Sequence, residues 1–142
     1  MTISQLSVFI ENKSGTLVRV LDILKDAGIQ LIATTISDTV NSGIYRIICS
    51  EPDRAYETLK QAKVSVTQTE VFAISLDNEV GSAAKAIRLI SAAGISISYL
   101  YSFLLGGKGI LVFRTDDYEL TKQVIVQNGL TVVPEQDLSK LV

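Results

Sequence analysis

Two stretches of the chain decide the fold: VFIENKSGTLVRVLDILKDAGIQL, residues 8–31, and ISLDNEVGSAAKAIRLISAAGISI, residues 74–97. A single shift along the chain aligns them without a gap, so that Gly15 falls on Gly81 and the tripeptide Ala-Gly-Ile recurs. We call this shift the repeat interval. Under it, apolar positions, turn residues and helix starts stay in register far beyond these two stretches. Since a repeat of this kind is the signature of a duplicated structural unit, the sequence predicts two copies of one fold.

Both copies show the same succession of hydrophobic periods, with alternation typical of strands and a 3.6-residue period typical of helices. In the first copy the predicted elements are strand 3–10, a helix from Gly15 to Gly28, strands 29–37 and 43–50 around the turn DTVNSG, helix 52–62 and strand 64–72. In the second copy they are strand 70–77, helix 81–93, strands 95–104 and 108–115, helix 117–128 and strand 130–133.

The order β-α-β-β-α-β is that of a ferredoxin-like unit. The predicted fold class is therefore α+β, with two such units in tandem, antiparallel sheets and helices on one face. The predicted domains are 1–69 and 70–142. No Gly or Pro occurs from Val64 to Asn78, so the last strand of the first copy should run directly into the first strand of the second.

Composition excludes several kinds of chemistry. The chain has no His, no Trp and one Cys, so imidazole catalysis and the usual zinc sites are ruled out and no metal or cofactor is predicted. Cys49 lies in a strand-like run and is expected to be a buried thiol. The acidic pairs Asp116–Asp117 and Glu51/Asp53 stand at predicted helix starts, where carboxylates offset the helix dipole.

Charge and hydropathy restrict the partners. The net charge is −2 and the basic residues are scattered, which argues against a nucleic-acid surface. No apolar run reaches the roughly 20 residues of a membrane span, and the N-terminus lacks a signal-peptide pattern. We therefore expect a protein that binds neither nucleic acid nor membranes. The single cysteine excludes a disulfide framework and favours a reduced, cytoplasmic setting.

The loop before each first helix has the chemistry of a carboxylate site. The first N–H groups of a helix have no intrahelical partner and favour an anion. Gly15 and Gly81 remove the side chain where a ligand would approach, and Asn12 and Asn78 offer amide donors and acceptors. The alternative is purely structural, with Asn and Ser capping the helix and Gly making the turn.

The strand, the polar loop ending in Gly and the following "AGI" segment resemble the ACT domain, the regulatory module of amino-acid metabolism. The pattern occurs twice, as ENKSG with AGIQL and as DNEVG with AGISI. The sequence departs from the usual pattern at Ser14 and Val80, where Pro is common. It also departs at Gln30 and Ser96, where Asn is common.

The resemblance implies ligand sites at both loops. ACT-like units commonly pair side by side, which would set the loop of one unit against the second strand of the other and give composite pockets, and it implies a homodimer. The implied ligand-binding residues are Asn12, Lys13, Ser14, Gly15, Thr16, Leu17 and Gln30, together with Asn78, Glu79, Val80, Gly81, Ser82, Ala83 and Ser96.

Two further segments have simple interpretations. SYLYSF, residues 98–103, places Tyr99, Tyr101 and Phe103 on one strand face, either as core or as an aromatic wall beside a ligand or partner. LLGGKG, residues 104–109, lies between strands and lacks Ser or Thr after its Lys. It therefore predicts a hairpin turn rather than a phosphate loop.

Three functions remain open. The leading hypothesis is a non-catalytic sensor that binds a free amino acid and regulates through a partner or its own oligomeric state. The second is an enzyme with a carboxylate-bound metal, which is weakened because no acidic residues converge at a predicted pocket. The third is a regulatory or assembly subunit of an amino-acid biosynthetic enzyme that pairs by its sheet edges and binds no small ligand.

Overall fold

The computed structural model describes residues 1–11, 15–38 and 42–140. Its elements follow the predicted order and then add one short helix. They are β1 (Thr2–Glu11), α1 (Thr16–Asp26), β2 (Leu31–Asp38), β3 (Ser42–Cys49), α2 (Pro52–Gln61), β4 (Val66–Leu76), α3 (Ser82–Ala92), β5 (Ile97–Leu105), β6 (Lys108–Thr115), α4 (Tyr118–Gln127), β7 (Thr131–Val132) and α5 (Glu135–Ser139).

The duplication predicted from the sequence is confirmed element by element. The repeat interval that carries Gly15 onto Gly81 also carries both ends of α1 onto those of α3, and both ends of α2 onto those of α4. The same interval carries both ends of strand β3 onto those of strand β6. Because insertions accumulate in loops, an interval that is the same for both helices and for this strand shows that no net insertion or deletion separates the two copies over this span.

Contacts divide the chain into two compact units. The first unit comprises Ser4–Glu70 and Gln136–Val142, and the second unit comprises Met1–Ile3 and Val71–Glu135. The sequence predicts two domains, 1–69 and 70–142, and this boundary stays a prediction. Both units have the ferredoxin-like arrangement of an antiparallel sheet with helices on one face, as predicted.

In the first unit the strand order is β2–β3–β1–β4. One face of the sheet meets α1 and α2 in a core that contains Leu6, Val8 and Ile47 from the strands. Val20 and Leu24 from α1 are also buried there. Cys49 belongs to the same core, which confirms the buried thiol. The turn residues 39–41 of DTVNSG lie outside the described residues.

In the second unit the strand order is β5–β6–β4–β7. Phe72 and Phe113 stack with ring centroids 5.6 Å apart, and Ile90 of α3 is fully buried against this part of the sheet. Gly106 and Gly107 both have positive φ and join β5 to β6. Such a two-residue turn suits the twist of a hairpin, so the hairpin interpretation of LLGGKG is confirmed.

The strand that links the two copies is continuous, as predicted from the absence of Gly and Pro. β4 runs without interruption from Val66 to Leu76. The end of the second copy departs from the prediction, because β7 has only two residues and the helix α5 was not foreseen.

The aromatic residues of β5 lie on the sheet face opposite α3 and α4. Tyr101 pairs with Val112, and Phe103 pairs with Ile110. The neighbouring residues Leu111 and Phe113 belong to the helix-covered core, so the alternation of strand side chains places the aromatic set on the other face. The three aromatic side chains are half-buried.

Candidate functional site

Helices α1 and α3 begin in the same unusual way. The residue before each is a glycine in the left-handed region, with φ of 91° at Gly15 and 90° at Gly81, and neither helix start has a side-chain cap. Asn78 therefore does not cap α3. No acceptor lies against the N–H groups of Ala83 and Ala84 in the described second loop, so these donors are available to a ligand.

The other two long helices have carboxylates of the protein at their starts. Asp117 caps α4 by accepting a hydrogen bond from the N–H of Leu120 at 3.0 Å. α2 has Asp53 in its first turn, whereas α1 and α3 have no acidic residue there. Since a carboxylate stabilises a helix N-terminus, the two helix starts left without one are those that follow the predicted ligand loops.

The second loop borders a cavity of about 260 Å³ that lies wholly within the second unit. Its walls come from the end of β4, the loop, the first turns of α3 and the turn after α4. The lining residues are Ile74, Ser75, Leu76, Asp77, Glu79, Val80, Gly81, Ser82, Lys85, Ala86, Leu89, Asn128, Gly129 and Leu130. Four of the predicted site residues, Glu79 to Ser82, are thus brought together at one cavity.

Two other predicted residues of this loop are placed differently. Ala83 is exposed on α3, and Asn78 is exposed in the loop, and neither belongs to the cavity lining. Ser82 turns its hydroxyl back to donate to the carbonyl oxygen of Glu79 at 3.0 Å. The loop is therefore held by its own backbone and by Ser82, and the Asn78 amide is left for solvent or a ligand.

The first loop borders a smaller cleft. Asn12, Lys13 and Ser14 lie outside the described residues. Gly15 and Leu17 line about 210 Å³ of space together with Glu11 and residues of the β2–β3 hairpin. Thr16 donates its hydroxyl hydrogen to the carbonyl oxygen of Glu11 at 3.1 Å, which closes the loop much as Ser82 closes the second.

The second-strand residues Gln30 and Ser96 have equivalent settings. The N–H of Gln30 donates to the hydroxyl of Ser50 at 3.1 Å, and the N–H of Ser96 donates to a carboxylate oxygen of Asp116 at 3.0 Å. Their carbonyl oxygens accept from the N–H groups of the same two partners. The Gln30 amide adds only a long hydrogen bond of 3.5 Å to the carbonyl oxygen of Leu31. Because the strong bonds hold only the backbone, the exposed side chains of Gln30 and Ser96 remain available for binding.

The equivalent basic residues Arg19 and Lys85 behave differently. Arg19 on α1 donates from Nη2 to the carbonyl oxygen of Ala62, the last cap residue of α2, at 2.7 Å. Lys85 occupies the same position on α3 and lines the second-loop cavity. Its backbone N–H donates to the carbonyl oxygen of Gly81 at 2.9 Å, but its ammonium group forms no hydrogen bond or ion pair with the residues that the structure describes. Sequence reasoning missed Lys85, although its place four residues after Gly81 was a usable signal.

One exposed pair at the start of α2 alters ionisation. Arg54 donates to both carboxylate oxygens of Glu51, at 3.1 and 2.5 Å. These hydrogen bonds, with a smaller contribution from the opposite charge, hold the pKa of Glu51 below its ordinary value. The Arg54 guanidinium also donates to the carbonyl oxygen of Ala27. This carboxylate therefore belongs to a structural contact rather than to a binding site.

Across residues 1–11, 15–38 and 42–140, no group of three or more Cys, Asp or Glu side chains is placed to hold a metal ion. Within the same ranges, no helix combines the length and the apolar character that crossing a membrane requires.

Comparison with known proteins relates this chain to a protein family and to solved structures. A family model described as an ACT domain pair matches residues 1–142. The structure of protein BT0572 from Bacteroides thetaiotaomicron is 37% identical, with a TM-score of 0.92 over 99% of this chain and 98% of that one. No curated protein matches the sequence.

More distant structures share the fold alone. The regulatory subunit of aspartate kinase from Thermus thermophilus, in a ligand-free form, is 14% identical over 87% of this chain and 91% of that one, with a TM-score of 0.59. The corresponding subunit from Thermus flavus is 16% identical over 87% and 90%, with a TM-score of 0.58. The match over the full length, together with the duplicated fold, shows that this chain belongs to the ACT domain family as a pair of ACT domains.

Proposed function

We propose that this protein is a non-catalytic sensor that binds a free α-amino acid at the loops ending in Gly15 and Gly81. The observation that carries the proposal is the pair of left-handed glycines before helices whose first turns contain no carboxylate. A ligand carboxylate would supply the missing negative charge and, at α3, accept hydrogen bonds from the N–H groups of Ala83 and Ala84.

The second loop offers partners for both ends of an amino acid. The N–H groups at the start of α3 favour the carboxylate, and the carboxylates of Asp77 and Glu79 beside the cavity favour the ammonium group. The Asn78 amide can serve either end because it has donors and an acceptor. The residues of the other unit's second strand, Ser96 for the first loop and Gln30 for the second, remain proposed contributors.

Regulation follows if the ligand binds one conformation of the protein more tightly than another, since binding then shifts the population. We propose that the response is transmitted through a homodimer or through a partner enzyme of amino-acid metabolism, and that the protein acts in the cytoplasm. Membership of the ACT family supports this proposal at the level of the family.

A thermal-shift screen of the twenty amino acids tests the proposal. At a ligand concentration 100 times the dissociation constant, binding adds about 2.7 kcal/mol to the free energy of unfolding. We expect Asn78→Ala to reduce the ligand-dependent shift and to leave the unliganded melting temperature unchanged, because Asn78 does not cap α3. Gln123→Ala, an exposed amide on α4 away from the loop, is the matched control.

Two outcomes would count against the proposal. If no amino acid shifts the melting temperature, the sensor function is wrong. If Asn78→Ala lowers the unliganded melting temperature by several degrees, the loop is a structural cap and the binding role assigned to this side chain is wrong.

A second candidate function is that of an assembly subunit, and the edge strand β5 favours it. β5 is the last strand in the order of the second unit, and its Leu104 side chain is 79% exposed. Unpaired edges with exposed apolar side chains are sites for pairing with another chain. Leu104→Lys should abolish co-purification with a larger enzyme under this function and leave amino-acid binding intact under the sensor function.

A further inference from the structure

We infer that, of the two proposed loops, only the second forms a full site: the second-unit cavity holds one aliphatic α-amino acid per chain, Lys85 binds its carboxylate, and the bridge from Arg19 to Ala62 takes the corresponding position in the first unit. This inference rests on the proposed function, because it assigns the ligand class and the binding residue of that function.

The cavity has a size that suits a small ligand. Its volume of about 260 Å³ lies just below the roughly 300–1,000 Å³ of pockets for drug-sized ligands, so it suits a ligand as small as an amino acid. It lies between the first turns of α3 and the turn after α4, where Asn128 and Gly129 form part of the wall.

In the first unit, a side chain bridges α1 and the end of α2 at the equivalent position. The repeat interval carries Ala62 onto Asn128 and Arg19 onto Lys85. In the first unit the Arg19 guanidinium spans from α1 to the Ala62 carbonyl oxygen at 2.7 Å. In the second unit Lys85 makes no such bond to Asn128. The bridge that crosses this space in the first unit is therefore absent from the second.

Lys85 is the one cationic side chain among the residues that line the cavity. The other charged lining residues are Asp77 and Glu79. None of the described residues forms an ion pair or hydrogen bond with the Lys85 ammonium group, so a ligand carboxylate would not have to displace a protein partner. Lys85 lies one turn after Gly81, and helix side chains tilt toward the N-terminus, so its ammonium group can reach an anion bound at the N–H donors of α3.

The charges and apolar side chains of the cavity lining indicate which class of amino acid would bind. Two carboxylates and one ammonium give the lining an excess negative charge, which disfavours a second carboxylate on the ligand. The apolar part of the wall comes from the half-buried Leu76, Leu89 and Leu130, whereas Ile74 and Ala86 are almost fully buried and expose little surface to the cavity. An aliphatic side chain on the ligand would bury apolar surface there.

Isothermal titration calorimetry with L-valine tests the inference, with L-glutamate, isobutylamine and 3-methylbutanoate as comparison ligands. We expect one valine per chain, much weaker binding of glutamate, and weaker binding of isobutylamine and 3-methylbutanoate, which lack the carboxylate and the ammonium group respectively. Lys85→Met should weaken valine binding roughly 10- to 100-fold, the usual range for a lost hydrogen bond to a charged group, and should leave isobutylamine binding unchanged.

Two further variants separate the effect of the positive charge at residue 85 from the effect of side-chain length. Lys85→Arg keeps the charge but supplies the longer side chain that bridges the first unit, so we expect it to close the cavity and weaken valine binding at least 10-fold. Arg19→Met changes only the first unit and should leave valine binding in the second unit unaltered.

The inference is overturned if wild-type protein binds two valines per chain, if Lys85→Met binds valine as tightly as wild type, or if glutamate binds more tightly than valine. Failure of the proposed function gives a different result, because then none of the twenty amino acids binds the wild-type protein. Retention of full valine affinity by Lys85→Arg would overturn the role assigned to the arginine bridge.

Discussion

The Nη2 atom of Arg19 lies 2.7 Å from the carbonyl oxygen of Ala62 and donates a hydrogen bond to it. A second arginine makes the reciprocal contact, since Arg54 on α2 donates to the carbonyl oxygen of Ala27 at the end of α1. Each helix of the first unit thus binds the free carbonyl at the C-terminus of the other, where a cation is electrostatically favoured. The equivalent residues of the second unit are Lys85 and Leu120.

Loss of the first of these contacts should lower stability. We expect Arg19→Met to reduce the free energy of unfolding by about 1 kcal/mol, the usual net contribution of such a hydrogen bond at an exposed site. Lys85→Met is the matched control and should change it by less than about 0.5 kcal/mol. Urea denaturation followed by circular dichroism measures both, and equal losses in the two variants would contradict the structural difference between the units.

The two loop glycines should resist substitution because of their backbone conformation rather than their surroundings. A Cβ atom at Gly15 or Gly81 would meet no atom within 4 Å, but φ is 91° and 90°. Each Gly→Ala change should therefore cost about 1–2 kcal/mol of backbone strain. Gly109 has an ordinary φ, and its added Cβ would lie 3.9 Å from Leu76, so Gly109→Ala should be nearly neutral. Denaturant titrations in which all three variants lose the same stability would exclude this explanation.

Leu24 and Ile90 occupy equivalent core positions, and both are almost fully buried. Truncation of either to Ala should cost about 2–5 kcal/mol. We expect the loss to appear as one shifted unfolding transition in each case, because units of about 70 residues are marginal alone and β4 contributes residues to both units. Calorimetry of Leu24→Ala and Ile90→Ala provides the measurement. Two separate transitions would instead show that the predicted domains 1–69 and 70–142 unfold independently.

The Glu51–Arg54 pair should make a small part of the stability depend on pH. The hydrogen bond from Arg54 lowers the pKa of Glu51 in the folded state, so its contribution is present above the pKa of the unfolded chain, about 4.3, and is lost as the pH falls through the folded value. Glu51→Gln should melt below wild type at pH 7, and the difference should shrink near pH 3. A melting difference that stays constant between these pH values would exclude this linkage.

Much of the fold could be predicted because its signals are local. Apolar alternation and the 3.6-residue period indicated the strands and helices, and the glycines at 15 and 81 marked the loops. The two-residue strand β7 and the helix α5 were harder, because short elements contain less than one full hydrophobic period and depend on what they pack against.

The candidate site was only partly predictable. The loop from Glu79 to Ser82 was identified because Gly81 repeats Gly15. The turn after α4 was missed, because nothing in the local sequence near Asn128 shows that α4 ends beside the start of α3. The role of Asn78 as a cap was also undecided until the structure showed that its side chain does not bond to the helix.

The sequence by itself determined the duplication, the order of the elements and the glycine-containing loops before the first helices, because each depends on periodicity or on glycine within a few residues. Only the tertiary structure distinguished Arg19 from Lys85, two basic residues at one position of the repeat. Whether a long cation reaches a helix terminus or remains free depends on side-chain length and on the distance between two packed helices, and that distance is a property of the folded chain.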